Sequence, residues 1–161
     1  MYLDEAHALG TLIGVRGHEL VYGGGRTGSM GALAEGTLAA GGHVTGVIYR
    51  RFVEEDVHHT GVSMIEVDDM RARKAGLEER ADAFIAAPGG LGTFEEFTEV
   101  LSFRKLAFHK RPMVLLNRAF YTPWVELFER AVKAGFERRE HGSFFALADT
   151  PEDAVGICEL P

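Results

Sequence analysis

The stretch that most constrains this chain runs from Ala83 to Phe103. Phe84, Ile85, Ala86 and Ala87 form a short apolar run fit for a strand covered on both faces. Pro88 stops the strand, and Gly89, Gly90 and Gly92 then permit a tight turn whose backbone can approach a ligand closely. The pattern predicts a helix from about Thr93 to Phe108. Its first turn would offer unpaired N–H groups and the positive end of the helix dipole, a combination suited to phosphate. Glu95 and Glu96 fall in that turn on this reading. A carboxylate there repels a phosphate unless it handles a hydroxyl or a water. The same residues admit a structural reading, because Thr93-x-x-Glu96 is a capping box in which Thr and Glu each satisfy a backbone N–H.

Strands and helices alternate at short spacing along the rest of the chain. Helices are expected at Tyr2–Val15, Ser29–Ala40, Asp69–Ala81 and Pro123–Ala134, with a last one capped by Thr150-Pro151-Glu152-Asp153. Strands are expected at Leu20–Tyr22, Val44–Tyr49, Val62–Val67, Met113–Leu116 and Phe144–Leu147, with a loop or short helix over Arg50–Thr60. This is the pattern of an α/β fold, doubly wound, with a mostly parallel sheet and helices on both faces. No repeat or linker interrupts it, so residues 1–161 are expected to form one domain. A doubly wound sheet usually opens on a strand, whereas this chain opens on a helix. The usual first strand is either absent or lies upstream.

With 17 basic and 24 acidic residues the net charge is −7, which argues against broad nucleic-acid binding or a membrane-surface role. No apolar run is long enough to span a membrane, no secretory signal is visible, and the single Cys158 fits a reducing compartment. A cytoplasmic protein is the expectation.

A second glycine loop, Gly23-Gly24-Gly25-Arg26-Thr27-Gly28, sits between an expected strand and helix. It fits G-x-G-x-x-G, but the region about 20 residues on lacks the acidic residue that would hold a dinucleotide ribose. NAD or FAD is therefore disfavoured. A tight packing turn and a second phosphate- or ribose-facing loop both remain open. Met70-Arg71-Ala72-Arg73-Lys74 puts three cations in the first turns of a helix, the wrong end for the dipole. Such a broken local rule often marks function, and Arg73 could clamp a phosphate or ribose. The structural alternative is a solvated face with Asp69 and Arg73 paired. Glu54, Glu55, Asp56, His58 and His59 form a dense polar patch, but their spacing matches no strong metal-ligand pattern. No metal and no cofactor are assigned.

Together these pieces resemble the Lonely Guy family of cytokinin-activating phosphoribohydrolases, often mislabelled as lysine decarboxylases. Pro88-Gly89-Gly90-Leu91-Gly92-Thr93-Phe94-Glu95-Glu96 matches that family's PGGxGTxxE signature. Met70 to Lys74 resembles its M-H-x-R-K motif, and Tyr22 to Gly31 its YGGGxxGLMG loop. The spacing between motifs agrees, and the likeness covers nearly the whole chain.

The resemblance implies a Rossmann-like fold, a homodimer, and hydrolysis of an N6-substituted adenosine 5′-monophosphate to free base and ribose 5-phosphate. It puts Arg73 and Glu96 in the catalytic positions. Lys74, Gly90, Gly92 and Thr93 take substrate-binding positions, together with Gly89, Leu91, Phe94 and Glu95 of the same motif, Met70, and Gly24 and Gly25 of the other loop. Glu55 falls where the family places a further substrate-contacting glutamate, and Ser102 where it often has a threonine. Two departures stand out: Arg71 replaces the family histidine, and the family's opening strand with its Cys-Gly-Ser-Ser-like turn is not found. A non-catalytic nucleotide- or molybdenum-cofactor-binding module of the same fold is the alternative. A lysine decarboxylase is disfavoured, since no site comparable to the pyridoxal-phosphate lysine of such enzymes is evident. The six large apolar residues between Phe94 and Phe108 spread beyond one helix face, which suggests either burial on two sides, as at a dimer contact, or simple core burial.

Overall fold

A computed structural model describes residues 1–160. It is an α/β structure in which every strand pairing is parallel. The strands bond as two three-stranded sheets, within compact units of residues Met1–Ala81 and Asp82–Pro161.

The first unit runs α1 (Tyr2–Val15), β1 (Glu19–Tyr22), α2 (Gly28–Ala39), β2 (His43–Tyr49), α3 (Arg50–Glu54), β3 (Ser63–Val67) and α4 (Met70–Arg80). β2 is central, with Leu20 opposite Val44 and Val47 opposite Ile65. Val44, Val47 and Ile48 are buried, as the apolar run over this strand requires. α2 is built of small residues because it meets α1 backbone to backbone. A methyl on Gly10 would lie 2.0 Å from the Leu33 carbonyl oxygen, and one on Gly36 would lie 2.2 Å from that of His7. Any larger side chain would force the helices apart.

The second unit runs β4 (Phe84–Ala86), α5 (Leu91–Lys105), β5 (Met113–Leu116), α6 (Arg118–Lys133), a 3₁₀ turn (Arg139–Phe144), β6 (Ala146–Ala148) and α7 (Pro151–Cys158). β5 is the central strand and all four of its residues are buried. Its core joins Ala86, Phe97, Leu101, Met113, Leu115 and Tyr121. Thr150 caps α7 by accepting from the Asp153 N–H at 3.1 Å, and Pro151 takes the first turn, as the sequence implies.

Three elements have bounds that differ from expectation by two residues or more, for local reasons. α6 starts at Arg118 rather than near Pro123, because Asn117 adopts a left-handed conformation (φ 75°) and its side chain accepts from the Phe120 N–H at 3.0 Å. Pro123 is thereby carried inside the helix. The last strand begins at Ala146, since Phe144 closes the 3₁₀ turn. α5 starts two residues early and ends at Lys105, so Leu106 and Phe108 lie beyond it and are exposed. Phe97 and Leu101 are the residues of this helix that reach the core fully, with Phe94 and Val100 packed partly against it.

Candidate functional site: a glycine turn in each unit

The turn after β4 is fixed at both ends. Tyr121, 1% exposed on α6, donates its hydroxyl to the Ala87 carbonyl at 2.7 Å. Burial pushes that phenol well above its ordinary range. Pro88 is buried, and Gly90 is the N-cap of α5, with no side chain supplying a cap bond. A methyl on Gly89 would lie 2.2 Å from Thr93 Oγ1, so the threonine side chain folds back over this glycine. By contrast, nothing lies within 4 Å of where a Cβ on Gly90 or Gly92 would project.

This geometry corrects the reading of the motif in two ways. Gly90, not Thr93, caps the helix, so Thr93 and Glu96 are not the two ends of a capping box. Thr93 becomes the third helical residue, and Glu95 and Glu96 move to the second turn. The first turn therefore contains no acidic residue. The N–H end of α5 keeps its positive character without a carboxylate in its first turn. Leu91 is exposed at the first helical position, Phe94 stacks on Phe120 with ring centroids 6.4 Å apart, and Glu96 is half-buried. Ser102 is exposed farther along α5, its hydroxyl donating to the Thr98 carbonyl at 2.8 Å.

The first unit holds the other glycine turn. Arg73 is only 7% exposed. Its Nε donates to the Val47 carbonyl and one terminal nitrogen to the Gly23 carbonyl, each at 3.2 Å. The solvated face and the Asp69–Arg73 pair offered by the sequence are therefore replaced. Asp69 instead caps α4, its Oδ1 accepting from the N–H groups of Arg71 and Ala72 at 2.8 Å each. Met70 is exposed at the first helical position and Lys74 is half-buried.

The polar segment after α3 lies along this same turn. The Arg26 N–H donates to the Val57 carbonyl, the His59 N–H donates to the Gly24 carbonyl, and His58 bridges Gly25 antiparallel. Arg26 also pairs with Asp56 at 3.3 Å. Gly24 and Gly25 are buried beneath these contacts. Gly24 has φ 80° and Asp56 φ 53°, so a non-glycine residue holds a left-handed conformation where the segment bends. Glu55 is exposed and accepts from Arg51 Nε at 2.8 Å. The structure thus brings Gly24, Gly25 and the 56–59 segment together and anchors Arg73 beside Gly23. It ties Glu55 to Arg51. Among the described residues no group of three or more His, Cys, Asp or Glu is disposed to hold a metal ion.

Sequence reasoning missed Tyr121 and the capping role of Asp69. The first lay outside its expected helix. The second was legible as an Asp immediately before a helical pattern, but was weighed as a partner for Arg73.

A family model described as "possible lysine decarboxylase" matches residues 30–158. A protein of Rhodococcoides fascians, named cytokinin riboside 5′-monophosphate phosphoribohydrolase, is 46% identical over 99% of this chain and 82% of its own length. The chain belongs to the Lonely Guy family. A relative from rice, named as a probable enzyme of the same activity, is 38% identical over 96% of this chain, which spans only 64% of that relative's length. Among solved structures, the molybdenum cofactor binding protein of Rippkaea orientalis superposes with a TM-score of 0.72 at 25% identity, covering 96% of this Lonely Guy chain and 84% of its own. The Moco carrier protein of Chlamydomonas reinhardtii gives 0.70 at 25%, covering 96% and 83%. The Rossmann-like fold of this Lonely Guy member is shared with both.

Proposed function

We propose that this chain hydrolyses the N-glycosidic bond of cytokinin riboside 5′-monophosphates, N6-substituted AMP, releasing free cytokinin base and ribose 5-phosphate. The names carried by its relatives support the reaction. The structural observation that carries it is Gly92. This residue occupies the second position of a helix, where alanine is favoured over glycine and where a methyl would meet nothing. The fold does not require glycine there, and a bare backbone at this position lets a phosphate come close to the first-turn N–H groups.

In this reading Gly89, Gly90, Leu91, Gly92 and Thr93 hold the 5′-phosphate, with Phe94 and Glu95 completing that segment. Gly24, Gly25, Glu55, Met70, Lys74 and Ser102 are the further substrate contacts. Breaking the bond builds positive charge on the ribose, as in other glycoside cleavages. Glu96 stabilises that charge and orients or deprotonates the attacking water, while Arg73 fixes the phosphate or ribose. Phosphate binding remote from the reacting carbon supplies the positioning. We further propose a single functional domain, a homodimer and a cytoplasmic location, with no nucleic-acid or membrane partner. No helix among the described residues is long and apolar enough to cross a membrane.

A second reading, binding of a nucleotide or molybdenum cofactor without cleavage, draws support from the solved structures of similar fold. Incubation with N6-isopentenyladenosine monophosphate and with AMP, followed by chromatography of the free base, separates the two. Release of base supports the hydrolase. Saturable binding without base release supports the carrier instead.

A further inference from the structure

The second unit carries an open cavity of about 390 Å³, lined by none of the residues assigned above to the nucleotide. Its apolar floor comes from Phe128 and Val132 of α6, Phe145, and Leu147 of β6. The floor is rigid. The rings of Phe128 and Phe145 stand edge to face at 5.7 Å. Trp124 holds both, stacked on Phe128 at 6.0 Å and edge-on to Phe145 at 5.4 Å. Gly142 lines the cavity with bare backbone, where a methyl would rest 3.7 Å from the Phe128 ring. The ring is therefore left open to the cavity.

The rim is cationic in a chain whose net charge is −7. It carries Arg118, Lys133 and Arg139 against the single acid Glu129. Arg118 is already engaged, its Nε lying 3.1 Å from both carboxylate oxygens of Asp149. Lys133 and Arg139 are exposed, and among the described residues neither has an ion-pair partner within 4 Å. A cavity of this size with an aromatic floor and a few charged groups at its edge has the makeup of a small-molecule site.

We propose that this cleft binds a small planar aromatic anion. The ring system lies against Phe128 and Phe145, and its carboxylate or phosphate is met by Lys133 and Arg139. Aromatic faces and edges supply offset and edge-on contacts for a flat ligand. The two uncompensated cations select the anion over a neutral molecule of the same shape.

The test is isothermal titration of the full chain with 2-naphthoate and 1-naphthyl phosphate in separate arms, and with neutral 2-naphthylmethanol. Comparison of the first two arms tells which headgroup is preferred. Saturable one-site binding is expected, with the neutral analogue weaker by about ten-fold, as two partly exposed charges can supply. Val132→Trp should fill the floor and abolish binding, while Lys133→Ala/Arg139→Ala should reduce anion affinity to that of the neutral analogue. Because the alanine pair changes only exposed side chains, it keeps the test decisive if the tryptophan variant fails to fold. Base release from the nucleotide should be unchanged in the alanine pair. Equal affinity for anion and neutral analogue would overturn the assignment, as would binding that does not saturate or a folded Val132→Trp protein that still binds. Binding of acidic peptides but of neither aromatic anion would also overturn it.

Discussion

The guanidinium of Arg73, near the start of α4, bonds the backbone carbonyl of Gly23 at 3.2 Å, fifty residues earlier in the chain. Its Nε reaches the Val47 carbonyl at the same distance. A buried arginine bound to two carbonyls secures the glycine turn, and in the proposed function it also fixes the substrate. Arg73→Ala should therefore cost about 2–3 kcal/mol of stability by leaving two carbonyls unpartnered. It should also lower kcat/KM by about 10²-fold or more. Arg73→Lys lacks the planar fork and should recover only part of either loss. Urea denaturation and base-release kinetics on the same preparations check both halves.

Gly23 offers an independent probe of the same contact. A methyl there would fall 2.0 Å from the Arg73 guanidinium nitrogen. Gly23→Ala should displace the arginine and reproduce much of the Arg73→Ala defect. The two changes should be non-additive in a double-mutant cycle, with a coupling of about 1 kcal/mol or more, as for residues in direct contact. Additive losses would show that the turn and the arginine act separately.

Gly89 and Gly92 should respond in opposite ways. Alanine at 89 would strike the Thr93 side chain at 2.2 Å, whereas alanine at 92 meets nothing within 4 Å. Gly89→Ala should lower both melting temperature and activity. Gly92→Ala should leave stability unchanged or raise it by up to about 1 kcal/mol through helix propensity. The same change should raise KM for the nucleotide by about ten-fold or more, through a methyl placed against the phosphate. Thermal melts and KM measured together separate a glycine kept for the fold from one kept for a ligand.

How much of this was readable beforehand depended on sequence distance. The bounds of α1 and the Thr150 cap of α7 follow from neighbouring residues and came out as expected. The strand–glycine–helix order around Pro88 was legible for the same reason. The start of α5 was not, because Thr93-x-x-Glu96 imitates a capping box and glycine at 90 takes the cap without a side-chain signal. The destination of Arg73 lies 26 and 50 residues away in sequence, beyond any local pattern. Tyr121 was hidden likewise, since its partner at Ala87 is 34 residues back.

Glu137 makes acid sensitivity predictable. Lys105 Nζ bonds its carboxylate at 2.8 Å, and His141 Nδ1 and the Arg138 N–H lie at 2.5 and 2.9 Å. The lysine bond is the largest influence and holds its pKa down to about 2; burial, the next largest, opposes it, and the backbone and histidine bonds add to the lowering. A folded-state pKa below the unfolded value gives stability that is fully present above the unfolded pKa. That stability disappears as pH falls through the folded one. The contribution should therefore be intact near neutrality and fade between about pH 5 and pH 2. Glu137→Gln should be less stable at neutral pH and show a flatter stability curve across that interval. Parallel curves for the two proteins would refute the assignment.

The sharpest test of chemistry is Glu96→Gln. Because Gly90 rather than Thr93 caps α5, Glu96 is the sixth helical residue and not the partner in a capping box. Amide for carboxylate keeps its size and an acceptor oxygen but removes the negative charge. If Glu96 stabilises the developing ribose cation or takes a proton from water, kcat should fall by about 10²–10⁴-fold. The dissociation constant for AMP should stay close to wild type if, as proposed, the N–H groups of the preceding turn hold the phosphate. Equilibrium titration and single-turnover base release on one sample distinguish these effects. A proportional loss of binding and turnover would make Glu96 a ground-state contact. Near-normal turnover would remove it from the mechanism.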